Sequence, residues 1–424
     1  MTAPDIALGV DFGTSNTVAM LVKPGRAGQP LLFDGSPMLP SAVFAQNDRY
    51  LTGQDALRAA SSDPSSCEPN PKRCIADGSI LLGDSERPVE EVVAAVLRRV
   101  AHEAERVAGA PTSRAVLTHP ADWPSARKQT LTRAARLAGL PEPATVDEPV
   151  AAAAHFLRHL GHHVGQGRHA LIYDLGAGTC DVTVVRHAAG TMQVVETAGL
   201  PDLGGLDVDA AVVKHFKQTY PSDQWERLES PETPADRRNR RMLWTDVRGA
   251  KELLSRETTA ALFIPVLDVD AHLTRDEVNE LAAPLLAQTV ELTEKVVDAA
   301  SLSYSDVDEI FLVGGGSRIP LVATMLLRAT GIAPTAIEQP ETVVASGSVD
   351  TLPPAPVSVS PPQALSPPQV SPPTVPPHVS SPPVSPQTIP PQVSSPPVSA
   401  PTGPISTPPR APVAPPPPRA PLPA

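Results

Sequence analysis

Three glycine-rich loops, each following a short apolar run, hold the residues best suited to chemistry. They read Gly9-Val-Asp-Phe-Gly-Thr-Ser-Asn-Thr17, Asp174-Leu-Gly-Ala-Gly-Thr-Cys-Asp181 and Leu312-Val-Gly-Gly-Gly-Ser-Arg-Ile-Pro320. The runs before them are Ile6-Ala-Leu8, Ala170-Leu-Ile-Tyr173 and Glu309-Ile-Phe-Leu312. Glycine lets a backbone come close to a ligand and present its N–H groups, and Thr and Ser add hydroxyl donors, so such a loop suits phosphate. The first two loops carry an aspartate at the strand end, Asp11 and Asp174. A carboxylate there can hold a hydrated Mg²⁺ facing the phosphates. One such loop is weak evidence, because an ordinary glycine turn looks the same. Two Asp-x-Gly loops about 160 residues apart, with a Gly-Gly-Gly loop later, point to a duplicated α/β unit closing on a nucleotide from both sides.

The elements that must position these loops follow from local pattern. Val18-Ala-Met-Leu-Val22 reads as the return strand of a hairpin after the first loop. Residues 61–88 are polar and turn-rich. Pro88-Val-Glu-Glu-Val-Val-Ala-Ala-Val-Leu-Arg-Arg-Val100 has helical spacing with proline in its first turn. Ala115-Val-Leu-Thr118 is a buried-strand candidate, residues 124–138 a helix ended by Gly139, and Glu148 opens a helix through Leu157. Residues 161–169 read as the connection between lobes. Residues 207–285 read as mostly charged helix with a strand at 259–269, and residues 286–300 as a long amphipathic helix. Further helices are expected from Pro320 and from Pro340.

Composition bounds the rest. The chain has 424 residues, but residues 351–424 hold 29 of its 53 prolines, with Arg410 and Arg419 as their only charges. Such a segment buries too little apolar surface to fold and is expected to stay extended, adding no folding energy. A net charge of −12 argues against nucleic acid or an anionic membrane as the main partner. Cys67, Cys74 and Cys180 give no disulfide framework and fit a reducing cytoplasm. No signal peptide and no membrane span are expected.

The loops, in this order, resemble the ATPase domain of the seventy-kilodalton heat-shock (DnaK-type) chaperone family. The resemblance covers residues 5 to about 349. Asn70-Pro-Lys-Arg-Cys-Ile75 is similar to the family's Lys-Arg segment, and Thr118-His-Pro-Ala-Asp-Trp123 to its Val-Pro-Ala-Tyr-Phe stretch. Val146-Asp-Glu-Pro-Val-Ala-Ala-Ala153 resembles Asn-Glu-Pro-Thr-Ala-Ala-Ala, and Leu203-Gly-Gly-Leu-Asp207 resembles Leu-Gly-Gly-Glu-Asp. Val313-Gly-Gly-Gly-Ser-Arg-Ile-Pro320 is the most discriminating stretch, because bacterial actins share the first two loops.

The resemblance implies an α/β fold, a two-lobed actin-like ATPase of duplicated ribonuclease H-like units. It places a first lobe at 1–167, with a trimmed outer subdomain at about 41–85. The second lobe would span 168–349, with its outer subdomain at about 206–289, and a disordered proline-rich tail 350–424. It implies ATP/ADP and Mg²⁺ as cofactors, with K⁺ as a further candidate. Asp11 and Asp174 would hold the metal through water. Lys72, Glu148, Thr179 and Asp181 would act on the γ-phosphate and the attacking water. Gly13, Thr14, Ser15 and Asn16 would bind phosphate from the first lobe, and Gly176, Ala177 and Gly178 from the second. Gly204 and Gly205 would approach the nucleotide. Arg248, Lys251, Ser255, Gly314, Gly315, Gly316, Arg318 and Glu341 would surround the nucleoside. Slow ATP hydrolysis by a cytoplasmic monomer would follow, with nucleotide-exchange or J-domain-type co-chaperones as candidate partners.

Several residues depart from the family pattern. Ala177 stands where a glycine is usual, Leu206 replaces an acid and Asp147 an asparagine. Arg248-Gly-Ala-Lys-Glu-Leu-Leu-Ser255 exchanges the acid and the base of the family's adenosine helix. No peptide-binding domain is expected; the proline-rich tail stands in its place and reads first as a plain spacer, its Pro-x-x-Pro segments being a candidate docking site for a protein partner. Two alternatives stay open, a nucleotide-sensing scaffold and a filament-forming actin. Plainer readings stand beside the sharp ones. The lesser reading of Lys72 is a solvated surface lysine, and that of Glu148 an acid favoured by a helix start. His155, His159, His162 and His163 read as a solvated helix end rather than a metal site, and Arg237-Arg-Asn-Arg-Arg241 as a solvated helix face.

Overall fold

The first glycine-rich loop turns between two strands of one hairpin. In the computed structural model, which describes residues 4–47 and 49–352, β1 (Ala7–Phe12) and β2 (Asn16–Val22) pair antiparallel with Asp11 opposite Val18. Both strands are almost wholly buried, as expected of a sheet covered on two faces. β3 (Gln29–Pro30) and β4 (Met38–Pro40) lie on the far edge of β2. An outer layer follows, with β5 (Val43–Gln46), β6 (Arg49–Thr52), α1 (Gln54–Ala59) and β7 (Cys67–Glu68). The hairpin of β8 (Ser79–Leu82) and β9 (Ser85–Pro88) leads into α2 (Val89–Ala108). The apolar stripe of α2 extends the expected helix to Ala108, and left-handed Gly109 ends it.

β10 (Arg114–His119) then pairs parallel to β1, and α3 (Ser125–Leu137) leads to β11 (Ala144–Asp147), which pairs parallel to β10. The sheet order is β11-β10-β1-β2-β3, with β4 also on β2. α4 (Glu148–His159) carries the chain out of this sheet.

The second half repeats the plan. β12 (His169–Leu175), β13 (Cys180–Ala188) and β14 (Thr191–Leu200) form an antiparallel meander. α5 (Gly205–Thr219), α6 (Glu226–Glu229) and α7 (Pro234–Leu253) follow. The single strand expected over 259–269 is a hairpin instead, β15 (Thr259–Ile264) with β16 (Val269–Thr274). The apolar run conceals a turn, marked by Asp268 at a left-handed φ of 54°. α8 (Arg275–Ala299) starts eleven residues earlier than the expected 286, on a capping box of Thr274 and Glu277. β17 (Val307–Val313) returns parallel to β12, giving the order β14-β13-β12-β17. α9 (Pro320–Thr330) and α10 (Val343–Asp350) complete the described chain. The expectation for the proline-rich tail falls on residues 353–424, outside the described residues.

Each half therefore has a hairpin whose first strand is flanked on its other side by a later parallel strand. Two large cores form. One packs Leu8, Val10 and Leu21 against Val92, Val96 and Leu131; the other packs Leu171 and Tyr173 against Val212, Phe216 and Leu286. The two halves exchange helices. α4 follows the first sheet in the chain but packs on β12, β13 and β14, whereas α10 comes last and packs on β1, β2 and β10. Where these helices cross, Gly347 lies against the Ala151 carbonyl with no room for a Cβ. Gly9 of β1 is closed off in the same way by Ser348 and Val349. Glycine is required at both positions by close approach, not by backbone conformation.

Candidate active site

All three loops leave the carboxyl ends of strands in parallel pairs, β1, β12 and β17, where open α/β sheets place their ligands. In the first sheet Val10 pairs with Leu117, so Asp11 ends up beside Thr118, whose hydroxyl donates to Asp11 Oδ1 at 3.1 Å. In the second, Asp174 pairs with Val313, directly before Gly314. Between the two sheets lies a cleft of about 790 Å³, a size suited to a small organic ligand.

The cleft brings together most residues singled out above. From the first half it is lined by Asp11, Gly13, Thr14, Ser15, Asn16, Lys72 and Glu148. Asp174, Gly176, Ala177, Gly178, Thr179 and Asp181 face them from the second. Gly205, Arg248, Lys251, Gly314, Gly315, Gly316, Arg318 and Glu341 line the remainder. Two residues do not line it. Gly204 supports the second loop from behind, with its α-carbon hard against Ala177 and Gly178. Ser255 caps the end of its own helix, its hydroxyl donating to Glu252 O at 2.7 Å.

The loops are held rigidly. Ser41 donates to Gly13 O at 2.8 Å and shares a 3.0 Å hydrogen bond with Thr17. In the second loop Gly176 N–H donates to Thr179 O at 2.9 Å, while Ala177 O accepts from Leu206 N–H at 2.7 Å. The amides of Ala177, Gly178 and Thr179 have no acceptor among the described residues. Gly314 takes a left-handed φ of 78° and packs on the Asp174 carboxylate.

Charge is distributed unevenly. Lys72 Nζ donates to Glu148 Oε1 at 2.7 Å, with side-chain exposures of 10% and 16%, and lies 5.7 Å from the centre of the Trp123 ring. Burial disfavours the charged lysine, but Glu148, Asp11 and Asp174 outweigh it and raise its pKa. One lysine thus faces four carboxylates. Burial, then the Glu148 charge, pushes Asp11 up to about 6 against the pull of Lys72 and Thr118. Burial, Glu148 and Asp122 push Asp181 up to about 6. Asp174 is raised well above the carboxylate range by burial and by Glu148, Asp181 and Asp11. Burial is the main cause of the three carboxylate shifts, and the crowding of like charge adds to it.

Toward the other end, Lys251 Nζ lies 2.7 Å from Asp209 Oδ1, a charge contact, and donates to Gly205 O at 2.7 Å. Arg248 Nε is 3.5 Å from the other oxygen of this fully buried aspartate. The two cations tie α7 to the start of α5. Arg318 donates to both carboxylate oxygens of Glu341 at 2.9 Å and to Glu338 O at 2.7 Å.

Sequence reasoning missed Thr118, Trp123, Asp209 and Arg73. Thr118 was reachable: a threonine ending a strand parallel to β1 must neighbour Asp11. His119, buried beside it, has Nδ1 3.3 Å from Asp147, and burial lowers its pKa.

Among the described residues no helix is long and apolar enough to cross a membrane. The model for Hsp70 proteins matches residues 81–350, which is 270 of 424 residues. The match takes in Glu148 and the Gly176 and Gly314 loops, while the Asp11 loop and Lys72 precede it. With well over half of the sequence matched and paired α/β units of actin-like ATPase form, the chain belongs to the Hsp70 family.

Proposed function

We propose that the protein binds ATP and ADP in this cleft and hydrolyses ATP slowly, the two halves closing on the nucleotide and opening after hydrolysis. The observation that carries this reading is the Lys72–Glu148 pair, buried among Asp11, Asp174 and Asp181 between two glycine-rich loops, the second of which presents amides without acceptors among the described residues. Thr14 and Ser15 donate to phosphate oxygens from one side, and the amides of the 177–179 segment from the other. Glu148 and Asp181 orient the attacking water. Lys72 supplies a fixed positive charge where negative charge develops, so the work is positioning and electrostatics rather than covalent chemistry.

Asp11 and Asp174 fit a hydrated Mg²⁺. Both are hard oxygen donors at strand ends, and their burial beside Glu148, which raises both pKa values, supports a cation between them. Among the described residues no three His, Cys, Asp or Glu side chains are arranged to bind one ion together, which suits a metal that keeps its waters. When bound, that ion would neutralise phosphate charge.

Cys67, Cys74 and Cys180 are free thiols, which supports a reducing compartment. We place the protein in the cytoplasm as a monomer, served by J-domain-type or nucleotide-exchange partners and by a protein bound at its tail. Calorimetric titration with MgATP and MgADP, followed by hydrolysis of the bound ATP, tests the enzyme reading. Tight binding without turnover would favour a nucleotide-sensing scaffold, and ATP-dependent sedimentation would favour a filament.

A further inference from the structure

We propose that His119 is a positioning residue for the hydrolytic step, holding Lys72 through Trp123 and Glu148 through Asp147. The inference rests on the nucleotide reading above.

His119 is the last residue of β10 and stands opposite Asp147, the last residue of β11, in their parallel pairing. Its ring is buried. A buried imidazole costs free energy unless its polar atoms find partners. Nδ1 faces two, Pro120 O at 3.0 Å and Asp147 Oδ1 at 3.3 Å. Both are acceptors, so the ring proton sits on Nδ1. Asp147 occupies the N-cap position of α4 and directly precedes Glu148, yet its side chain makes no cap hydrogen bond. It turns to His119 and to Lys128, whose Nζ is 3.6 Å away. The imidazole thereby fixes the backbone from which Glu148 starts.

The face of the same ring acts on the lysine. The buried Trp123 indole lies nearly parallel to it, with centroids 6.5 Å apart and planes inclined by 13°. Lys72 Nζ lies 5.7 Å from the centre of that indole. Lys72 and Glu148 then meet at 2.7 Å, so Lys72, Trp123, His119, Asp147 and Glu148 close a ring of side chains. His119 does not line the cleft and touches no reacting group; it works on both members of the pair at once. The charged groups that face it are Asp147 from β11, Lys128 from α3 and Glu148 from α4. Burial lowers its pKa, and Lys128 adds to this against the pull of Pro120 O, Asp147 and Glu148. The ring is therefore neutral at pH 7. An imidazolium would set a second cation against the indole that Lys72 uses.

The test uses the full chain with His119→Phe, which keeps a ring against the indole and loses the Nδ1 donor, and with His119→Asn, whose amide can donate in its place. In His119→Phe, single-turnover hydrolysis of bound MgATP should slow about 10-fold, the rate effect of one lost hydrogen bond, while MgATP affinity stays within about 3-fold of the wild type. His119→Asn should recover part of the rate. Indole emission supplies a second readout, because a protonated imidazole stacked on an indole quenches it. Emission of the nucleotide-free wild type should fall as pH drops below the ordinary histidine range, and this fall should be absent from His119→Phe and from Trp123→Phe. If His119→Phe hydrolyses bound ATP at the wild-type rate, or loses binding and hydrolysis together, the proposal is wrong while the nucleotide reading stands. An emission fall of the same size in His119→Phe contradicts it as well. If the wild type binds no nucleotide, both fall.

Discussion

Lys72 and Glu148 stand 76 residues apart in the chain and meet at 2.7 Å, the lysine from a proline-rich turn and the glutamate from the first residue of α4. Each has a plain reading on its own, as a surface cation and as an acid favoured at a helix start. Their pairing brings the turn, the first sheet and the crossing helix to one point. Around that pair, burial first and the Glu148 charge second raise the pKa values of Asp11, Asp174 and Asp181.

The burial of these carboxylates has a consequence for stability. Asp181 is pushed up to about 6, above its unfolded value near 3.8, so the folded state favours its protonated form. The stability linked to this preference is present below about pH 4 and is lost as pH rises through about 6. Asp181→Asn should therefore stabilise the nucleotide-free protein at pH 7, by about 1–3 kcal/mol, and change little at pH 4. Thermal unfolding at the two pH values checks this; an equal or lower melting temperature at pH 7 would refute the charge assignment.

His155 gives the opposite slope. Burial, then repulsion from His159, lowers its pKa to about 4, and its buried Nδ1 has no hydrogen-bond partner among the described residues. The neutral ring is favoured on folding, so the linked stability is present above about pH 6.5 and is lost as pH falls toward 4. Because the side chain is partly exposed, the effect is about 1–2 kcal/mol. His155→Phe should flatten the dependence of melting temperature on pH between 6.5 and 4, a change that calorimetric scans of both proteins would show.

The crossing of α4 and α10 depends on one missing methyl. Gly347→Ala would drive a Cβ into the Ala151 carbonyl, and neither backbone can yield without moving its helix. A loss of about 3 kcal/mol or more is expected, read from denaturant midpoints. A variant as stable as the wild type would mean that the helices slide apart freely.

At the end of the cleft where the proposed nucleotide would place its base, Arg248 is engaged by Asp209 while Glu252 lines the cleft without a partner among the described residues. Glu252→Arg leaves the Arg248–Asp209 contact in place and offers the base a planar cation. MgATP should bind about 1 kcal/mol more tightly, the worth of one stacking contact. Unchanged or weaker binding in a calorimetric titration would place α7 away from the base.

How much of this was legible in the sequence depended on the range of each contact. The Asp11 and Asp174 loops were visible because an apolar run, an aspartate and glycines lie within a few residues. The β15–β16 hairpin was hidden because the turn interrupts an apolar run with little besides Pro265 and Asp268. The neighbouring of Asp11 and Thr118 needs a parallel pairing across 107 residues, and the exchange of α4 and α10 needs three-dimensional packing of two small-residue helices. Ser255 fitted a motif by spacing, yet its hydroxyl turns back to cap its own helix.

The most direct measurement is single-turnover hydrolysis of stoichiometric MgATP by the wild type and by Lys72→Ala, with binding measured in parallel. The wild type should convert bound ATP to ADP and phosphate. The variant should still bind ATP but hydrolyse it at least about 100-fold more slowly, because the removed charge acts mostly in the transition state. A variant that hydrolyses bound ATP at the wild-type rate would contradict the account.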